Sequence, residues 1–403
     1  MGRKYFVGAM AAAAVLMTAS VGFAQSPPLK IGILNDQNGP FADLGGKGSV
    51  LAAQMAVEDF GGKVLGRDIE IISADHQNKA DIASSIATRW YDEEGVSAIV
   101  GLPVSSVALA VQFMAKERKK ISITTGAGST ALIGKECSPT GFLWVYNTYS
   151  LAHGTALAVT KGGGQTWFFI SSDYTFGKQL EKDATEVIEA NGGKVLGAVR
   201  HPINSNDFSS FLVQAQASKA EVIGLANGGA DTVNAIKQAA EFGIIEGGQK
   251  LAAMILFVQD VRSMGLDAAQ GLVLTSGFYW DQNERTRDWS ERFMKRNDGK
   301  APSELQAGDY SAVMHYLKAL AAAGKDDGVL VAEKMREIPV DDFMTKNSKI
   351  RADGYLQRDF YLFQVKTPAE SKGEWDYFKE LSMIPASEAS PPVAGSECAL
   401  LKN

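Results

Sequence analysis

Cysteine is nearly absent: Cys137 and Cys398 are the only two in 403 residues. There are four histidines, none in an H-E-x-x-H arrangement or at any paired spacing, so the residues of a zinc enzyme are missing. Neither a G-x-S-x-G elbow nor a Walker A loop occurs, which removes the commonest hydrolase and nucleotide-hydrolysing patterns. Basic residues number 40 against 46 acidic ones, giving a formal net charge of −6 without a basic stripe. Nucleic acid and anionic membrane surfaces are poor partners for such a chain. After residue 24 no apolar run is long enough to cross a bilayer.

The first 24 residues differ from the rest. Arg3 and Lys4 precede an apolar, Ala-rich stretch at 6–21, and Gly22-Phe23-Ala24 supplies small residues before Gln25. This is the pattern of a secretory signal peptide. No cysteine follows the apolar stretch, so the residue that would carry a lipid anchor is missing. In an exported chain an even pair of cysteines is expected to form one disulfide, Cys137–Cys398. That bond ties the C-terminal tail to the first half of the molecule and leaves no thiol nucleophile.

What the sequence does contain is a repeated plan. The hexapeptide GGKVLG occurs at 61–66 and again at 192–197. Each copy follows an amphipathic helical stretch and leads into a strand-like run, which marks two α/β units on one design. Strands are predicted at 30–35, 68–74, 97–101, 121–125 and 142–146, with helices at 50–60, 80–94 and 105–118. The second series has strands at 165–171, 194–199, 221–225, 251–257 and 272–276, with helices at 177–190, 208–218 and 231–242. Gly61, Gly192 and Gly243 stand where left-handed residues end helices. Continuous apolar strands belong to parallel sheets covered on both faces, so the expected fold is a pair of doubly wound Rossmann-like lobes. Beyond 276 the pattern turns helical at 285–296, 306–323 and 329–337, with one further strand at 359–365 and a proline-rich tail at 385–396. Helices without strands build no third sheet; they complete the outer layers of the lobes. The chain must then cross between lobes more than once, forming a stiff hinge.

Candidate binding residues fall at the carboxyl ends of the predicted strands, where open α/β sheets bind ligands. Gly126-Ala127-Gly128-Ser129-Thr130-Ala131 fits a G-x-G-x-x-[GA] fingerprint but lies at the fourth strand, with no acid about 20 residues on to hold a ribose. Its exposed N–H groups at a helix start suit a carboxylate instead. Ser105 and Ser106, after the third strand, either cap the following helix or reach the same anion. In the second unit Tyr174 and Phe176 are either ligand walls or loop-to-helix packing, Asn227 follows the third strand, and Gln259 and Asp260 follow the fourth, Asp260 being either a ligand contact or a cap for the helix beginning near Val261. Trp280 is either a cleft wall or an anchor for a crossing segment. Nothing selects a catalytic residue, a metal site or a cofactor.

These features resemble the type I periplasmic binding proteins of ABC importers, in the leucine/isoleucine/valine-binding branch. The resemblance rests on Leu29-Lys30-Ile31-Gly32-Ile33, Asn38-Gly39-Pro40-Phe41, the segments 101–106 and 121–128, 173–177, and Asp207-Phe208-Ser209. It spans about 29–365. It implies lobes at 28–147 plus 278–347 and at 148–277 plus 348–386, followed by a tail at 387–403. It implies a monomer in the periplasm that delivers a small carboxylate, such as a branched-chain amino acid or an aromatic or other organic acid, to an inner-membrane permease, without enzymatic chemistry. The carboxylate would be held by Ser105 and the loop Gly126–Gly128, with Phe176 or Tyr174 closing over it. The acid that holds an amino group in this family falls near Gln259 or Asp260. The family's threonine near Gly128 has no counterpart, and Ser129 stands in its place. If Gln259 is the matching residue, an ammonium would lack its counter-charge, and the ligand would be an amine-free aromatic or other organic acid. Two further readings are a sensor that hands its closed form to a receptor, and an exported Rossmann-type oxidoreductase using 126–131 for a nucleotide.

Overall fold

A computed structural model describes residues 26–402 together with Met1, Gly2 and Lys4; the expected export segment, 1–24, otherwise lies outside the described residues. The first sheet contains β1 (Leu29–Asn35), β2 (Lys63–Val64), β3 (Arg67–Asp75), β4 (Val96–Gly101), β5 (Ile121–Thr124) and β6 (Gly141–Leu143). Their order is β2-β3-β1-β4-β5-β6, and every pairing is parallel except the β2–β3 hairpin. The connecting helices are α1 (Gly46–Phe60), α2 (Ala80–Asp92) and α3 (Ser105–Arg118). β4 is buried along its whole length and β1 nearly so, as strands covered on both faces must be.

The plan then repeats after a helical stretch made of α4 (Thr148–Leu151), a π turn at Ala152–Ala156 and α5 (Leu157–Lys161). β7 (Thr166–Ser172), β8 (Lys194–His201), β9 (Val222–Ala226) and β10 (Lys250–Ala253) form a wholly parallel sheet ordered β10-β9-β7-β8. Its connections carry α6 (Thr175–Ala190), α7 (Ser209–Ala217) and α8 (Ala230–Glu241), and α9 (Val258–Met264) and α10 (Leu266–Ala269) follow β10. Two doubly wound lobes are therefore present, as the apolar runs indicate. The two GGKVLG copies occupy the same place but differ in shape. In the first, Leu65 and Gly66 turn with positive φ to close the β2–β3 hairpin, whereas in the second Lys194–Gly197 simply begin β8.

α11 (Glu284–Arg296), α12 (Glu304–Ala323) and α13 (Gly328–Glu337) come next, and α12 lies along α1 and against α13. The expectation that no third sheet exists is corrected. β11 (Val273–Ser276), β12 (Phe360–Val365) and β13 (Phe378–Ile384) form a separate antiparallel sheet, so 272–276 is not a member of the second parallel sheet. β13 gave no signal because four consecutive residues, Glu380–Met383, are exposed, leaving no apolar run to read. α14 (Ala386–Ala389) adds one helical turn to the tail expected as a loop.

The chain passes between the first sheet and the others at 144–147, 277–283 and 350–359. These segments hold one another. Trp144 is fully buried and its indole N–H donates to Ser311 Oγ at 2.9 Å on α12. Leu143 N donates to Gly354 O, and Leu356 N returns a bond to Leu143 O, both at 3.0 Å. The guanidinium of Arg358 donates to the carbonyl of Gly277. Such mutual bonding ties the three crossings into one multi-strand hinge. The expected disulfide is present: Cys398 of the tail bonds Cys137, which lies between β5 and β6, 261 residues away in sequence.

Candidate ligand-binding cleft

The carboxyl ends of both parallel sheets face a common cavity. From the first lobe come Phe41, Leu44, Pro103, Gly126, Tyr146 and Leu305; from the second come Tyr174, Phe176, Gly228, Gly229, Ile255 and Phe257. About 330 Å³ of space, part of it open to solvent, lies between these residues, and little of it is wide enough for water. The lobes therefore meet closely, and five of the lining residues are Phe or Tyr. None of the lining residues carries a charge.

On the first wall, β4 and β5 end side by side, paired Gly101 to Thr124, so the segments after them lie together. Ser105 opens α3, and its Oγ accepts the N–H of Ser129 at 3.3 Å. Ser129 in turn caps the short turn at Thr130–Leu132, its Oγ accepting Ala131 N at 3.3 Å. Both serines are fully buried. Ser105 Oγ accepts a bond but donates none among the described residues. Ser106, partly exposed on α3, does not line the cavity. Of the expected cradle, Gly126 lines the cavity, while Ala127, Gly128 and Ser129 stand in the layer beside it. The Tyr146 hydroxyl donates to the carbonyl of Gly126 and fixes the loop. Close packing explains the glycines. A Cβ on Gly126 would stand 2.8 Å from Pro103 Cα, and one on Gly128 would stand 2.9 Å from the Tyr146 ring and 3.2 Å from that of Phe176.

Behind this wall a buried carboxyl braces the strand ends. Thr125 Oγ1 donates to Asp309 of α12, and burial pushes the Asp309 carboxyl up to about 7. Nearer the hinge, Glu304 at the start of α12 accepts Ser276 Oγ at 2.7 Å and Gly277 N at 2.9 Å; burial raises its pKa.

The second wall is aromatic. Tyr174 stands just before α6 and Phe176 within it, their rings 6.2 Å apart. Phe257, before α9, faces Tyr146 across the cleft at 6.2 Å between centroids. Burial holds the phenols of Tyr146 and Tyr174 well above their ordinary range, so both carry their protons. The Tyr174 hydroxyl makes no hydrogen bond among the described residues.

The remaining candidates are occupied elsewhere. Asn227 is buried, accepts Thr232 Oγ1 at 2.7 Å and meets His201 Nε2 at 3.0 Å. Gln259 Nε2 donates to Ala301 O at 2.9 Å. Asp260 turns back on its own helix, where Oδ2 accepts Phe257 N at 2.9 Å, and burial raises its carboxyl to about 7. None of the three lines the cavity. Trp280 is an anchor: its indole donates to Trp375 O at 2.8 Å. Sequence reasoning passed over Tyr146, Phe257 and Phe41. Tyr146 was read inside a strand that ends at Leu143, and Phe257 inside one that ends at Ala253. Phe41 lay in a quoted motif without an assigned role.

A family model described as "Periplasmic binding protein" matches residues 28–374. Leu/Ile/Val-binding protein homolog 6 of Brucella melitensis is 26% identical over 363 residues, 87% of this chain and 90% of that protein. A periplasmic binding protein from Burkholderia mallei, solved as a crystal structure, is 49% identical with a TM-score of 0.91, covering 93% of this chain and 99% of that one. A branched chain amino acid ABC transporter periplasmic ligand-binding protein from Burkholderia xenovorans LB400 is 39% identical with a TM-score of 0.82, covering 93% and 100%.

Proposed function

The chain belongs to the periplasmic binding proteins, in the Leu/Ile/Val-binding branch of ABC transporter solute-binding proteins, and from that premise we propose that it captures a small carboxylate bearing no amino group. The observation that carries this reading is the lining of the cavity: aromatic and aliphatic side chains, a bared backbone loop, and no acid. An ammonium buried there would lack a partner, and an unpaired buried charge is strongly unfavourable. A carboxylate would not. The N–H groups of 126–128 and the proton of Ser105 can receive it at the start of α3, a 14-residue helix whose N-terminal end favours an anion. The Tyr174 hydroxyl, protonated and without a partner, supplies a donor from the opposite lobe. Aromatic acids or branched aliphatic acids match the rings of Phe176 and Phe257.

The ligand enters when the lobes part about the hinge and is buried when they meet, with the lobes divided at the boundaries expected from sequence. The closed form is delivered to an inner-membrane permease, and the chain reaches the periplasm through the export segment 1–24. Among the described residues no helix is long and apolar enough to cross a membrane. A thermal-shift panel of benzoate, 4-methylpentanoate and keto acids tests the class; a ligand at 100 times its Kd adds about 2.7 kcal/mol of stability. Ser105→Ala with Ser129→Ala is expected to weaken the best acid at least tenfold, about 1.4 kcal/mol, by titration calorimetry. Unchanged affinity would remove the carboxylate from this loop.

A further inference from the structure

The double glycine after β9 has a role that ligand contact does not explain. Gly229 adopts φ +60° and ψ −136°, a conformation that only glycine holds without strain. It also stands against the other lobe. A Cβ there would lie 2.8 Å from the carbonyl oxygen of Pro40 and 3.0 Å from the Phe41 ring. Because no Cβ is present, the N–H of Ala230, the first residue of α8, reaches Pro40 O at 3.4 Å. One backbone thus meets another across the mouth of the cleft.

Neither side of this contact can yield easily. The loop bearing Pro40 is fixed by Asp36, which is 1% exposed and accepts Gly39 N at 2.7 Å, Phe41 N at 2.9 Å and Asn78 Nδ2 at 2.9 Å. On the other side, Asp231 of α8 accepts Ser205 N at 2.8 Å and Asn204 N at 3.1 Å, pinning the start of the helix. We infer that Gly229 is a positioning residue that sets how far the lobes close: its missing side chain lets the Pro40 carbonyl dock on the first turn of α8 and latch the closed cleft. The inference rests on the reading of the cleft as a site that shuts on a carboxylate, and it adds the element that holds it shut.

Three variants of the full chain test it. Gly229→Ala places a methyl group in the contact. Ala230→Pro removes the N–H that Pro40 accepts, at a first-turn position where α-helices tolerate proline. Gly243→Ala is the strain control: it has φ +64° just beyond the other end of α8, and its nearest neighbour is its own lobe's Glu246. The probe is benzoate or 4-methylpentanoate, whichever stabilises the wild type more. Stopped-flow rates and the change in radius of gyration on adding the probe are the readouts. The latch predicts dissociation at least tenfold faster in Gly229→Ala and Ala230→Pro, association within about threefold of wild type, and reduced contraction. Gly243→Ala should match the wild type in all three. Should Gly229→Ala lose its far-UV circular dichroism, Ala230→Pro decides alone. Wild-type dissociation and contraction in both cleft variants would overturn the latch and leave the cleft reading intact. A wild type that neither binds nor contracts would overturn the cleft reading, and the latch with it.

Discussion

The first-lobe wall of the cleft sets the bared loop at Gly126, backed by buried hydroxyls, among Phe41, Tyr146, Leu44 and Leu305, while the second-lobe wall carries three rings, Ile255 and a glycine pair and turns its acids away. Asp231 and Asp260 both sit in the first turn of a helix and spend their oxygens on backbone N–H groups of their own lobe. Both walls offer apolar shape, and the first adds a backbone loop that can meet charge. The same α/β plan thus yields two unlike surfaces, because the residues following each strand, and not the strands themselves, decide what faces the ligand.

Truncating the second-lobe wall should have the largest effect. Phe176→Ala removes the ring that closes on Gly128, and ligand affinity by calorimetry is expected to fall roughly a hundredfold, about 2.8 kcal/mol. A loss of less than threefold would mean that the second wall contributes little. Tyr174→Phe keeps the ring and deletes only the unpartnered hydroxyl; a fall of about tenfold is expected, in the range of a hydrogen bond to a charged group. An unchanged Kd would return all carboxylate recognition to the first wall.

The smallest effect on binding is expected from Asp260→Asn, since that carboxyl caps α9 and lines nothing. Affinity for the carboxylate should stay within about twofold. Its stability, however, should depend on pH in a definite direction. Burial raises the folded carboxyl from 3.8 to about 7, so between those values the folded chain holds a proton that the unfolded chain has released. The wild-type aspartate loses stability as pH rises through that window; asparagine does not. The melting temperature of the variant relative to wild type should therefore climb from pH 4.5 to pH 7.5 and level off above. A relative melting temperature that falls over that range would show that Asp260 is ionised where it sits.

Much of the scaffold was legible because buried parallel strands are unbroken apolar runs and their helices end at glycines such as Gly61, which is left-handed and whose N–H donates to Glu58 O at the end of α1. The loop Gly126–Ser129 was also visible as a turn, since two glycines closely follow a buried strand. What escaped follows from distance along the chain. Phe41 meets Phe257 and Leu305 only when segments more than 200 residues apart are folded together, and no local period reports that. β13 escaped for a different reason: it pairs with β12 but buries only Phe378 fully, and Glu380–Met383 are exposed. The roles of Asn227 and Gln259 could not be read from type and position, because an amide bonded to His201 or to Ala301 O looks identical in sequence to one facing a ligand.

The most direct measurement compares two ligands that differ only in the ammonium group. By titration calorimetry at pH 7, 4-methylpentanoate should bind the full-length mature protein at least tenfold more tightly than leucine. Leucine binding as tightly as its amine-free counterpart, or more so, would contradict a cleft without a counter-charge.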